Sequence, residues 1–265
     1  MLNTSDSLPA NDAPPRAEVD WVAKVPEVTL LFWIIKIAAT TLGETGGDAL
    51  SMSLGLGYLA STGIFAAVFA LAVAAQIRAT RFHPALYWTT IIATTTVGTT
   101  LADFADRSLG IGYAGGSTLL LALLVASLVA WKRTMGSVAV DTVRTPRAEV
   151  FYWVTIMYSQ TLGTALGDWT ADTAGLGYTG GALVFSGLLA LVVLAWWRTR
   201  VSRTLLFWLA FVLTRPLGAV VGDWLDKPVA AGGLALSRLG ASAALLAFIV
   251  ALLVLFRQRP AQRAH

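Results

Sequence analysis

The chain has 265 residues, 56% of them hydrophobic and only 13% charged, with a mean hydropathy of +0.69 and a formal net charge of +4. Soluble domains carry about 25% charged residues, so this composition argues against a water-covered globular enzyme, and its apolar content argues against fibrous and disordered classes. With no cysteine at all, disulfide scaffolds, thiolate metal sites and thiol redox chemistry are excluded, which leaves a polytopic membrane protein.

Residues 1–25 are polar and proline-bearing, without the basic start and apolar core of a secretory signal, and read as a disordered cytoplasmic tail. Apolar segments follow at 28–50, 59–76, 85–105, 114–131, 149–170, 179–196, 204–225 and 236–256. A helix needs about 20 apolar residues to cross a bilayer, so each segment is near spanning length. The expected fold is all-α, a single transmembrane domain of eight helices over 26–256, followed by a basic tail at 257–265. Most Lys and Arg fall in the N-terminal tail, the C-terminal tail and the loops after even-numbered segments. The opposite loops hold only Arg107, Lys227 and Arg238. This asymmetry places both termini in the cytoplasm and explains the high isoelectric point without nucleic-acid binding.

Self-comparison reveals a fourfold repeat. Trp33, Trp88, Trp153 and Trp208 open the odd-numbered segments, spaced 55, 65 and 55 residues apart. Each is followed by a glycine (Gly43, Gly98, Gly163, Gly218), then a small residue and an aspartate (Asp48, Asp103, Asp168, Asp223). Three repeats continue into Gly-Leu/Ile-Gly-Tyr, whereas the fourth has Lys227-Pro228 and Gly232-Gly233 there. The chain resembles, over residues 26–256, an uncharacterised family of bacterial membrane proteins built from four tandem repeats, each with two transmembrane segments and a characteristic tryptophan. The resemblance implies a bacterial inner-membrane location and an eight-helix, pseudo-fourfold bundle with repeats at about 26–80, 81–135, 146–200 and 201–256; it brings no activity.

The Gly-x-x-x-small pairs are expected to let helix backbones approach closely, and the tryptophans to anchor the bundle at a membrane interface. The glycine-rich turns loosely match a potassium-channel filter, but too few residues separate them from the preceding aspartate for a pore helix, and tight turns explain them. Carboxylates inside spans are costly and usually face a bundle interior. The four aspartates either ligate a cation together or bond backbone amides of the following turn.

Steps of four residues trace one face of each odd helix. The faces read Lys36, Thr40, Glu44, Asp48; Ile91, Thr95, Thr99, Asp103; Ile156, Gln160, Thr164, Asp168; and Phe211, Arg215, Ala219, Asp223. Around one axis they would line a cavity with five carboxylates and two cations. Glu44 has no acidic counterpart in the other repeats and is the proton-exchange candidate. Lys36 and Arg215 are counter-charge or gate candidates, with Gln160 beside them, and Pro216 marks a kink or hinge. Asp106, Asp172 and Asp226 read as solvated charges at the opposite mouth. His83 lies in a loop and His265 ends the chain, so no cofactor is expected and the protein is not read as an enzyme.

The expected function is secondary transport of an inorganic cation, best a hard divalent metal such as manganese, bound by Glu44, Asp48, Asp103, Asp168 and Asp223 with Thr40, Thr95, Thr99 and Thr164 lining the cavity. Protons and the lipid bilayer are the other expected partners, and oligomeric state is open. Two alternatives remain at this point: a proton-coupled anion or small-molecule transporter using Lys36 and Arg215, and a non-transporting scaffold or sensor.

Overall fold

A computed structural model describes residues 23–262. Eight α-helices run over Leu30–Asp48 (α1), Gly57–Arg78 (α2), Pro84–Asp103 (α3), Tyr113–Met135 (α4), Pro146–Asp168 (α5), Gly177–Arg198 (α6), Arg203–Asp226 (α7) and Arg238–Leu255 (α8). Their starts are set locally. Thr29, Thr145, Ser202 and Ser237 each accept a hydrogen bond from a backbone amide of the first turn, and Pro84 and Pro146 occupy first-turn positions where no amide donor is needed.

After their aspartates, α1, α3 and α5 widen into single π-helical turns at Ala49–Ser53, Phe104–Ser108 and Trp169–Thr173. The Gly-x-Gly pairs then reverse the chain: Gly55 and Gly57 have φ of 70° and 76°, a region that penalises a Cβ. The fourth repeat has no π-turn; α7 runs on to Asp226, and a short 3₁₀ turn at Val229–Ala231 follows Lys227-Pro228.

The odd helices close a four-membered inner ring in the order α1, α3, α5, α7 and back to α1. The two helices of a repeat do not form the main contact with each other. Instead α2 lies on α3, α4 on α5, α6 on α7, and α8 returns to α1. Each second helix thus covers the first helix of the next repeat, and the fourth repeat covers the first. The outer helices expose large apolar side chains such as Leu71, Leu183 and Val254, as a lipid-facing ring requires.

Five helices (α2, α4, α6, α7 and α8) are long and apolar enough to cross a membrane by length and composition. The sequence reading expects eight spans, and α1, α3 and α5 fall short on that measure because their buried faces carry threonine, glutamine and charged side chains. Many of their hydroxyls are bonded within the helix: in α3, Thr90 donates to the Leu86 carbonyl at 2.7 Å and Thr96 to that of Ile92 at 2.8 Å.

The end carrying both termini is capped. Residues 1–22 of the expected tail lie outside the described residues, as do residues 263–265 of the basic tail. Ala23, Lys24 and Val25, expected in the tail, are buried. The Ala261 amide donates to the Val25 carbonyl at 2.8 Å and the Glu27 amide to that of Arg259 at 2.9 Å, so the two terminal segments pair. Lys24 meets Glu149 at 2.6 Å and donates to the Gln76 carbonyl at 3.0 Å, tying this segment to α2 and α5. The wider spacing between Trp88 and Trp153 is accounted for by a linker whose Val140 and Val143 enter the same core.

Candidate functional site

Steps of four along the inner helices bring one residue per repeat to each of four levels, about 6 Å apart by helical rise. From the termini end these are Lys36, Ile91, Ile156 and Phe211; Thr40, Thr95, Gln160 and Arg215; Glu44, Thr99, Thr164 and Ala219; and Asp48, Asp103, Asp168 and Asp223. All are buried. The structure therefore brings the sequence-derived site residues together on one axis.

The repeated glycines hold this ring tight. A Cβ on Gly43 would run into Thr95, one on Gly163 into Arg215, and one on Gly218 into Thr40. At Gly98 it would stand 2.9 Å from the Gln160 carbonyl carbon. Each glycine thus seats the polar-face residue of the next repeat, the close approach expected of small residues between membrane helices.

Below the first level, Phe32, Tyr87, Tyr152 and Phe207 close the termini end, with the two tyrosine hydroxyls 2.6 Å apart. Three of the four repeat tryptophans join this core. Trp88 Nε1 donates to Gln258 Oε1 at 2.9 Å and Trp208 Nε1 to the Val138 carbonyl at 3.0 Å. The expected lipid-interface anchoring is corrected accordingly: Trp88, Trp153 and Trp208 are buried, because the inner ring places them behind the outer helices and the linker.

Arg215 crosses the axis. Its Nη2 pairs with Glu44 Oε2 at 2.9 Å and donates to Thr99 Oγ1 at 2.6 Å and Thr164 Oγ1 at 2.5 Å, reaching α1, α3 and α5 from α7. Glu44 is therefore not a free acid but half of a buried ion pair. Lys36 has no such partner. Its Nζ lies 3.4 Å from Thr214 Oγ1 and 4.1 Å from the centre of the Phe211 ring, with no carboxylate in reach among the described residues.

The aspartate end is an ion-pair network. Lys227 Nζ reaches Asp48 at 2.7 Å and Asp223 at 2.9 Å, Arg107 reaches Asp103 at 2.9 Å, and Arg238 reaches Asp226 at 3.1 Å. Burial alone would lower the Lys227 ammonium pKa, but Asp223, Asp48 and Asp226 outweigh it and hold the pKa above its ordinary value. Asp48, Asp103 and Asp168 make no capping hydrogen bond to the following turn, which removes that reading of the repeated aspartate. Asp172 is exposed as expected, whereas Asp226 is buried and paired rather than solvated.

Asp168 stands apart: it makes no ion pair among the described residues. Its carboxylate shares a buried cluster with Glu44 and Asp223 in which one oxygen from each lies within 4.8 Å of the others. Asp48, Asp223 and Asp226 form a second such cluster, already served by Lys227 and Arg238. Sequence reasoning did not foresee the pairing roles of Arg107, Lys227 and Arg238. The signal was present, because these are the three basic residues of the opposite loops.

Fold and site together define an all-helical bundle of four two-helix repeats closed around a charged axis. Residues 31–82, 86–137, 151–202 and 206–259 match the Repeat of Unknown Function (DUF347), and the chain belongs to this family of tandem-repeat proteins. Neither curated proteins nor solved structures give a match to the chain.

Proposed function

We propose that the protein is a secondary transporter of an inorganic cation, best a hard divalent ion such as manganese, in a bacterial cytoplasmic membrane with both termini inside. The observation that carries this reading is Asp168, a buried carboxylate left without a cationic side chain in pairing distance among the described residues, beside Glu44 and Asp223. Unpaired carboxylates are too costly inside a bundle to be incidental, and clustered oxygen donors suit hard ions.

The surrounding residues supply the parts of a cycle. A cation at Asp168, Asp223 and Glu44 competes with Arg215 for Glu44, so the guanidinium is a tethered charge that the ion displaces. Pro216, immediately after Arg215 inside α7, removes one helical hydrogen bond and makes that displacement easier to accommodate. A proton taken up by the carboxylates as the cation leaves would keep the buried charge in balance. The aromatic closure at the termini end and the Lys227 and Arg238 pairs at the other are the barriers that must open in turn.

Asp168→Asn tests the reading. Reconstituted in liposomes, the wild type is expected to carry manganese down a gradient, and the variant to lose at least tenfold in flux while melting within a few degrees of the wild type. Equal flux in both proteins would overturn the site.

A further inference from the structure

The second level of the axis carries polar atoms that the proposed cation site leaves unpaired. Thr95 Oγ1, Gln160 Oε1 and Nε2, and Arg215 Nε and Nη1 are all buried and have no hydrogen-bond partner among the described residues. They come from α3, α5 and α7, at equivalent positions of three repeats, and their residues are fully buried. Buried polar atoms are satisfied in nearly all native structures, so a cluster of orphans at one depth points to a missing partner. Lys36 lies one level below on α1, equally buried and without a carboxylate in reach among the described residues.

We propose that Lys36, Thr95, Gln160 and Arg215 form a binding site for a small monovalent anion of the chloride class. The charge balance selects the valence. With Lys36 protonated, Lys36 and Arg215 carry two positive charges against the single negative charge of Glu44, a balance that one bound monovalent anion would close. Waters would satisfy the orphaned neutral atoms but would not close that balance. The orphaned donors are an amide N–H, a hydroxyl and two guanidinium nitrogens, joined by the ammonium. They come from all four inner helices, and a halide ion accepts hydrogen bonds from several directions at once. Ile91, Ile156 and Phe211 share the level of Lys36, toward the termini end, and are fully buried, so the site is closed off from solvent on that side. The site shares Arg215 with the cation reading but rests on other atoms of it, Nε and Nη1 rather than the Nη2 that meets Glu44.

The test is a thermal melt of the purified full-length protein at constant ionic strength, with sodium gluconate replaced by sodium chloride, bromide or sulfate, together with equilibrium binding of radiolabelled chloride. Chloride and bromide are expected to raise the melting temperature saturably, with one chloride bound per chain, and sulfate to match gluconate. Gln160→Leu, which keeps every charge, and Lys36→Met are each expected to weaken chloride binding at least tenfold. Asp168→Asn is expected to keep the chloride response while losing the manganese response, which separates failure of this site from failure of the transport reading. Identical melting in all four salts, or unchanged chloride binding in both Gln160→Leu and Lys36→Met, would overturn the proposal.

Discussion

A guanidinium on the axis of a membrane bundle has to be matched, and Arg215 is matched by one carboxylate and two hydroxyls drawn from three other helices. Glu44→Gln would keep the shape and remove the charge, leaving Arg215 buried beside neutral groups. Breaking one partner of a buried pair costs about 3–5 kcal/mol, so the single variant is expected to melt well below the wild type. The double variant Glu44→Gln with Arg215→Gln is expected to recover part of that loss, and a double-mutant cycle of thermal or denaturant unfolding measures the coupling. If the two losses simply add, the pair contributes nothing to the fold. For this reason transport is better tested at Asp168, where no side-chain pair is broken. The residues of this site were legible as a set, because four equivalent faces place them at matching positions. Their pairing was not, because Arg215 and Glu44 are 171 residues apart in the chain and meet only when α7 closes on α1.

Among elements, the inner helices are ordered by their glycines. Gly98 faces the backbone of α5, where an added Cβ would stand only 2.9 Å from a carbonyl carbon and 3.0 Å from the Thr161 amide nitrogen, whereas the same addition at Gly115 on α4 meets nothing within 4 Å. Gly98→Ala is therefore expected to lower stability by about 1–3 kcal/mol through overpacking. Gly115→Ala is expected to be neutral or slightly stabilising, since alanine is the better helix former. Unfolding of the two variants side by side checks this, and equal stability would remove close backbone contact as the role of the repeated glycine. The Gly-x-x-x-small spacing was readable as a packing signal. Which helix each glycine receives was not, because the helices of one repeat could have packed on each other, and instead each packs on the neighbouring repeat.

At the scale of the whole molecule the ring has no privileged starting point. The α7–α1 contact closes it as the other inner contacts do, and the terminal segments already pair through Val25 and Ala261. A circular permutant that links the two termini and opens between α6 and α7 is expected to give a monodisperse protein with a melting temperature close to that of the parent, because it leaves every helix contact in place. Aggregation of the permutant would show that the chain ends, rather than the ring, hold the bundle. Length, composition and the fourfold cassette by themselves determined the membrane class, the eight helices, the fourfold repeat and the residues of the polar faces, since all of these are written in local periodicity. Only the tertiary structure decided that second helices cross to the next repeat, that three of the four repeat tryptophans are buried, and that Lys227, Arg238 and Arg107 pair with Asp48, Asp223, Asp226 and Asp103 at the aspartate end. It also decided that Lys36 and Asp168 make no salt bridge among the described residues. Those outcomes depend on where charges meet in three dimensions, and in a low-dielectric interior the pairing of a charge, rather than its presence, sets its energy.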